Sequence, residues 1–143
     1  MKNFFQLFIV ITTLINTSVF SQVVIDDAYI NAGETVTLTA DTEWILEGYV
    51  FVESGAVLNI EPGTVIKAKP GSVSSPNGPT ALIIAKGGKI FANGTPDKPI
   101  IFTAEADDIN DLTDLPLDRS GLWGGVIILG NAGINVTGGE EAI

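Results

Sequence analysis

Residues Tyr49 to Lys67 read YVFVESGAVLNIEPGTVIK. Three short apolar runs, Tyr49-Val50-Phe51-Val52, Ala56-Val57-Leu58-Asn59-Ile60 and Thr64-Val65-Ile66, are separated by Ser54-Gly55 and Pro62-Gly63. Each run has the length of one strand, and none carries the i, i+3, i+4 spacing of an amphipathic helix. Gly at the corners permits positive φ, which side-chain-bearing residues resist. Pro62 argues further against a helix.

The same unit recurs along the chain. Starting Val50 over Ile83, the segment Val50 to Ile60 can be laid on Ile83 to Ala92, and both on Ile127 to Val136. Each has a strand, a Gly-containing corner and a second strand. Two of the three go on to a further Gly-Thr turn, at Gly63-Thr64 and Gly94-Thr95. Other runs of the same kind are Trp44-Ile45-Leu46, Ile100-Ile101-Phe102-Thr103 and Val126-Ile127-Ile128-Leu129. Weak self-similarity with irregular insertions is the pattern of solenoid coils. A lone coil of short strands has an apolar inside and unpaired backbone edges. Stacking a second coil about 4.8 Å away satisfies both. The expected fold is therefore all-β, a right-handed parallel β-helix of about three irregular coils over residues 44–143. Residues 22–43, where Val36, Leu38 and Ala40 alternate with Thr35, Thr37 and Thr39, are expected to be N-terminal cap strands. No comparable cap follows Val136, so the chain is expected to be the N-terminal piece of a longer helix.

The N-terminus reads as an export signal. Lys2 supplies a positive start, Phe4 to Ile15 a short apolar run, and Val19-Phe20-Ser21 a cleavage triplet. Residues 1–21 are thus expected to be removed, leaving a secreted or cell-surface protein. The apolar run is shorter than the roughly 20 residues a spanning helix needs, so the mature chain has no expected membrane span.

Composition narrows the chemistry. The chain has 143 residues, a formal charge of −10, no His and no Cys. That charge repels phosphates and anionic lipid, so nucleic acid and membrane surfaces are poor partners. Disulfide support, thiol catalysis and Cys/His zinc sites are excluded, as is any Ser-His-Asp or Cys-His mechanism within the chain. Cations are the natural counter-species, and calcium is the one metal the composition permits.

Two sets of residues bear on function. The insertion from Ala104 to Gly121 carries Glu105, Asp107, Asp108, Asp111, Asp114 and Asp118, and ends beside the sole arginine, Arg119. Calcium takes about six to eight oxygens, and Asp107, Asp108, Asp111 and Asp114 are the calcium candidates. Their spacing is not that of an EF-hand. The competing reading is a solvated acidic loop that keeps a sheet edge soluble. Asp118-Arg119 is the sole local pair that suggests a lyase base, and it reads better as a surface pair. Asp107-Asp108 supplies adjacent acids, but a glycosidase needs two carboxylates at a set separation. No catalytic residues are assigned. The second set is aromatic. Trp44, Tyr49 and Trp123 are expected to cover the core rather than stack on sugar. The sequence Lys69 to Pro79 reads as a surface loop. The sequons at Asn93 and Asn135 read as chance occurrences in Asn/Gly turns.

Four segments carry a family resemblance: Ile60 to Lys67, Leu82 to Ile90, Asp97 to Thr103 and Gly121 to Ala132. Together they resemble a family of large secreted Bacteroidetes proteins, mostly uncharacterised, with a right-handed parallel β-helix related in shape to pectate lyases. Many of these resemble cargo of the type IX secretion system, which carries a C-terminal sorting domain. The resemblance spans Trp44 to Ile143. It implies the fold and an exported role, and it carries no activity onto any residue. Family members continue past the point where this chain ends. The functional expectation is an extracellular or cell-surface scaffold that contacts a glycan or a surface protein. The alternative is the N-terminal part of a polysaccharide lyase or glycoside hydrolase whose catalytic residues lie beyond Ile143.

Overall fold

In a computed structural model, residues 21–71, 78–116 and 118–130 are described. The proposed export signal through Phe20, residues 72–77 of the surface loop, and the second strand of the third repeat with its Asn135 sequon lie outside the described residues.

The described residues contain ten strands and no helix. They are β1 (Ser21–Ile25), β2 (Thr35–Leu38), β3 (Thr42–Leu46), β4 (Tyr49–Val52) and β5 (Val57–Ile60). The others are β6 (Val65–Ala68), β7 (Ala81–Ile84), β8 (Lys89–Ala92), β9 (Ile101–Ala104) and β10 (Val126–Ile128). They form three sheets, which we call A (β1-β3-β6-β9), B (β2-β5-β8) and C (β4-β7-β10). Every strand pairing is parallel. The chain visits A, C and B in turn and then returns to A one level further on, which is how a β-helix is wound. No helix of the described residues is long and apolar enough to cross a membrane.

Stacking puts like residues in columns. Val23, Trp44, Ile66 and Phe102 form one inward column of sheet A, and Ile25, Leu46, Ala68 and Ala104 the next. Val36, Leu58 and Ile90 do the same in sheet B, and Val52 and Ile84 in sheet C. These columns build one apolar core that runs along the stack. Each fully buried Leu or Ile there contributes roughly 1.5–3 kcal/mol. Buried polar groups are satisfied: Thr64 Oγ1 donates to the Glu61 carbonyl at 2.7 Å, and Gly48 N–H donates to Thr80 Oγ1 at 3.2 Å.

The corners are as the glycines imply. Gly55 and Gly87 have φ of 80° and 89°, and Gly55 N–H donates to the Gly87 carbonyl at 3.0 Å, joining one corner to the next.

Two details depart from the sequence reading. Val50 pairs with Leu82, one residue before the expected Ile83. A slip of one residue exchanges the two faces of a strand, so the expected overlay would have turned Leu82 outward. The expected match of Ile83 with Ile127 is the one observed. The second detail concerns residues 22–43. β1 pairs in parallel with β3 and β2 with β5, so these strands continue sheets A and B by one level. Among the described residues sheet C has no strand at that level. A turn from Asp26 to Glu34 takes its place, and Ile30, fully buried, plugs the core there.

Candidate functional site

The three outer faces differ in chemistry. On sheet A the outward columns are Gln22, Glu43, Val65 and Ile101, then Val24, Ile45, Lys67 and Thr103. Lys67 Nζ lies 3.4 Å from Glu43 Oε2, and just past the ends of the same two strands Lys69 Nζ meets Glu47 Oε2 at 2.5 Å. The Glu47 carboxylate beside it, with Glu105 further off, holds the Lys69 ammonium above the ordinary lysine range. Outward-facing Ile45 is only 1% exposed beneath this charged layer. Sequence reasoning missed the two pairs. Their signal was the alternation of Glu43, Ile45 and Glu47 in one run against Lys67 and Lys69 in another.

The acidic insertion follows β9. Asp107, Asp108, Asp111 and Asp114 all line one open concavity of about 280 Å³, with Ile101, Ile109 and Leu112. Their carboxylates are directed into the loop itself. Asp107 Oδ2 accepts from Thr103 Oγ1, and Asp108 Oδ1 accepts Asn110 N–H at 3.0 Å. Asp111 Oδ1 accepts the Thr113 hydroxyl at 2.7 Å and the Thr113 N–H at 2.9 Å. Asp114 Oδ2 accepts Asp108 N–H. The Thr113 hydroxyl, and then its N–H, hold the Asp111 carboxyl below the usual carboxylate range. Among the described residues no three acidic side chains group closely enough to hold a metal ion. Ile109 and Asn110 fold back towards β3 and β6, enclosing with Lys67 and Glu43 a slot of about 230 Å³. Arg119 borders a shallow hollow of about 250 Å³ with Thr103, Ser120 and Trp123. No ion pair joins it to Asp118 among the described residues.

Sheet C turns an apolar face outward. Phe51, Ile83 and Ile127 form its outer column, with Tyr49 over Ala81 beside them. Trp44 is buried, as expected, and its Nε1–H donates to the Thr39 carbonyl at 3.0 Å. Trp123 packs against the core from its edge. Tyr49 does the opposite of what was expected and stays 44% exposed. The reason is register: Val50 and Val52 take the inward positions of β4, which leaves Tyr49 and Phe51 outside. Their rings sit 6.4 Å apart at 58°.

Among the described residues sheet C has no strand at the first level, and β4 is its edge there. Beside that edge lies the largest of the concavities described, about 620 Å³. Asp26, Asp27, Glu47, Tyr49 and Phe51 line it. Gly78 lies near the Tyr49 ring, where an added Cβ would stand 3.6 Å from it.

The family model of the pectate-lyase-like β-helix domain matches residues 30–143. Searches of curated proteins and of solved structures gave no match. The matched span takes in every strand from β2 to β10, and a β-helix is what that family's description states. The chain belongs to the pectate-lyase-like β-helix domain family.

Proposed function

We propose that this protein is an exported scaffold, working at the cell surface or outside the cell, that contacts glycan or a surface protein through its outer faces. The single observation that carries the reading is the outer face of sheet C. Tyr49, Phe51 and Ile127 give it an aromatic and apolar surface, with Tyr49 and Ile127 both more than 40% exposed and Ile83 buried between them. Stacked coils present such a surface as a long platform, suited to an extended partner. The Lys2-led apolar start and the absence of Cys fit export to a compartment where packing alone holds the fold. The winding is right-handed, as parallel crossovers almost always are. The resemblance to secreted Bacteroidetes proteins suggests type IX cargo.

The lyase or hydrolase reading draws on the family's pectate-lyase-like description and on the acidic loop folded over sheet A. Fold alone does not choose between the two. One assay does. The protein is mixed with insoluble neutral polysaccharides and with polygalacturonate, and both the bound fraction and new chain ends are measured. Sedimentation with a polysaccharide without new ends is the expected outcome. New ends made by the purified protein would overturn the scaffold reading in favour of an enzyme.

A further inference from the structure

We infer that the concavity at the free edge of β4 is a binding subsite for a neutral glycan, with Tyr49 as its stacking platform. The inference rests on the scaffold reading and gives it a place and a ligand class.

The site exists because of a gap in the winding. Glu47 N–H donates to the Ile25 carbonyl at 3.0 Å, so the sheet A ladder between β1 and β3 runs to the last residue of β1. After Ile25 the chain turns away. Asp26 Oδ1 accepts Ala28 N–H and the Asp26 carbonyl accepts Tyr29 N–H, closing a tight turn. Among the described residues β4 has no neighbour strand on that side, and about 620 Å³ opens beside it. Small-ligand sites run from about 300 to 1,000 Å³, so the space suits one or two sugar rings.

The lining selects the ligand. The electron-rich face of an aromatic ring attracts the electropositive C–H bonds of a pyranose, and Tyr offers that face at low entropic cost. The Phe51 ring, 6.4 Å away, flanks Tyr49 and reduces the ordering left for the ligand to impose. The polar wall is made of carboxylates. Asp26, Asp27 and Glu47 accept hydrogen bonds from hydroxyls. No lysine or arginine lines the concavity. A uronate would meet the carboxylates of Asp26 and Asp27 there, beside a Glu47 already paired with Lys69, on a chain of net charge −10, so polygalacturonate is disfavoured.

Native gels cast with galactomannan, xyloglucan, hydroxyethyl cellulose or polygalacturonate test this. The wild-type protein is expected to be retarded by at least one neutral polymer and not by polygalacturonate. Tyr49→Ala should weaken binding about tenfold, Tyr49→Phe should keep it, and Asp27→Asn should weaken it about threefold. Near-UV circular dichroism checks that each variant is folded, and Asp27→Asn decides the matter if Tyr49→Ala is not. Retardation undiminished in the folded variants would place the glycan elsewhere on the scaffold and overturn the subsite alone. No retardation by any neutral polymer would overturn both the subsite and the glycan-contacting reading. Equal retardation by polygalacturonate would overturn the choice of a neutral ligand.

Discussion

Lys69 reaches across one level of sheet A to Glu47, Nζ to Oε2 at 2.5 Å, and both side chains remain about one-third exposed. Exposed pairs of this kind contribute at most about 1 kcal/mol, because water screens them. Lys69→Met is therefore expected to cost no more than that in urea unfolding. The pH dependence has a definite sign. The folded-state pKa of Lys69 is raised, chiefly by the hydrogen bond to Glu47. Its contribution is fully present below the ordinary value of 10.5 and is lost as pH rises through the folded value. The midpoint difference between wild type and Lys69→Met should be constant from neutral pH to about 10 and shrink above it. A difference that grew with alkalinity would contradict the assignment.

Gly88 is constrained by space. A Cβ there would press into the Val52 carbonyl oxygen and lie 3.0 Å from that of Glu53, both backbone atoms of the preceding coil. Neither can move without disturbing the corner where Gly55 bonds Gly87. Gly88→Ala is expected to destabilise by roughly 1–3 kcal/mol. Gly125 has φ of 84° and nothing within 4 Å of an added Cβ, so Gly125→Ala carries backbone strain alone, roughly 1–2 kcal/mol. Chemical denaturation should rank Gly88→Ala as the same or worse; a neutral Gly88→Ala would mean the coils are spaced more widely at this corner.

The strand positions were legible in the sequence because each apolar run ends at a glycine corner or a proline. Register was legible only where the two faces of a strand differ. In β2, Val36 and Leu38 face inward between Thr35 and Thr37, and the alternation shows it. β7 is Ala81-Leu82-Ile83-Ile84, buried on both faces, so its sequence has no period and the overlay slipped by one residue. The same loss of contrast hid Tyr49, since all four residues of β4 are apolar or aromatic. Ile30 was invisible for another reason. A single apolar residue in the polar turn from Asp26 to Glu34 gives no repeat to read, and only the missing strand of sheet C makes it a plug.

Leu58 tests whether the stack has one continuous core. It is fully buried between Val36 and Ile90 in sheet B. Leu58→Ala should cost about 2–5 kcal/mol, the cavity adding to the lost transfer energy. Leu112, 93% exposed on the acidic loop, is the control, and Leu112→Ala should stay within about 0.5 kcal/mol of wild type. A single cooperative urea transition, shifted as a whole by Leu58→Ala, is the expected result. Two transitions, with only one of them moved, would mean that the levels unfold separately.

The acidic loop makes the last prediction, and it separates structure from metal binding. Asp111 is held by Thr113, whose hydroxyl and N–H both donate to Oδ1. These bonds lower the Asp111 pKa from its ordinary 3.8, so their contribution is present above that value and disappears as pH falls through the folded one. Thr113→Val removes the hydroxyl while keeping the N–H, and it should raise the Asp111 pKa measured by carboxyl NMR titration. Asp107, Asp108, Asp111 and Asp114 each have one carboxylate oxygen committed to Thr103, Asn110, Thr113 or the Asp108 backbone. Bringing their other oxygens around one ion at about 2.3–2.6 Å would require the loop to rearrange. Calorimetric titration to millimolar calcium is therefore expected to show no saturable heat, and the Asp111 titration should be unchanged by the metal. A saturable heat that vanished in Asp108→Asn would establish the loop as a calcium site and require it to rearrange on binding.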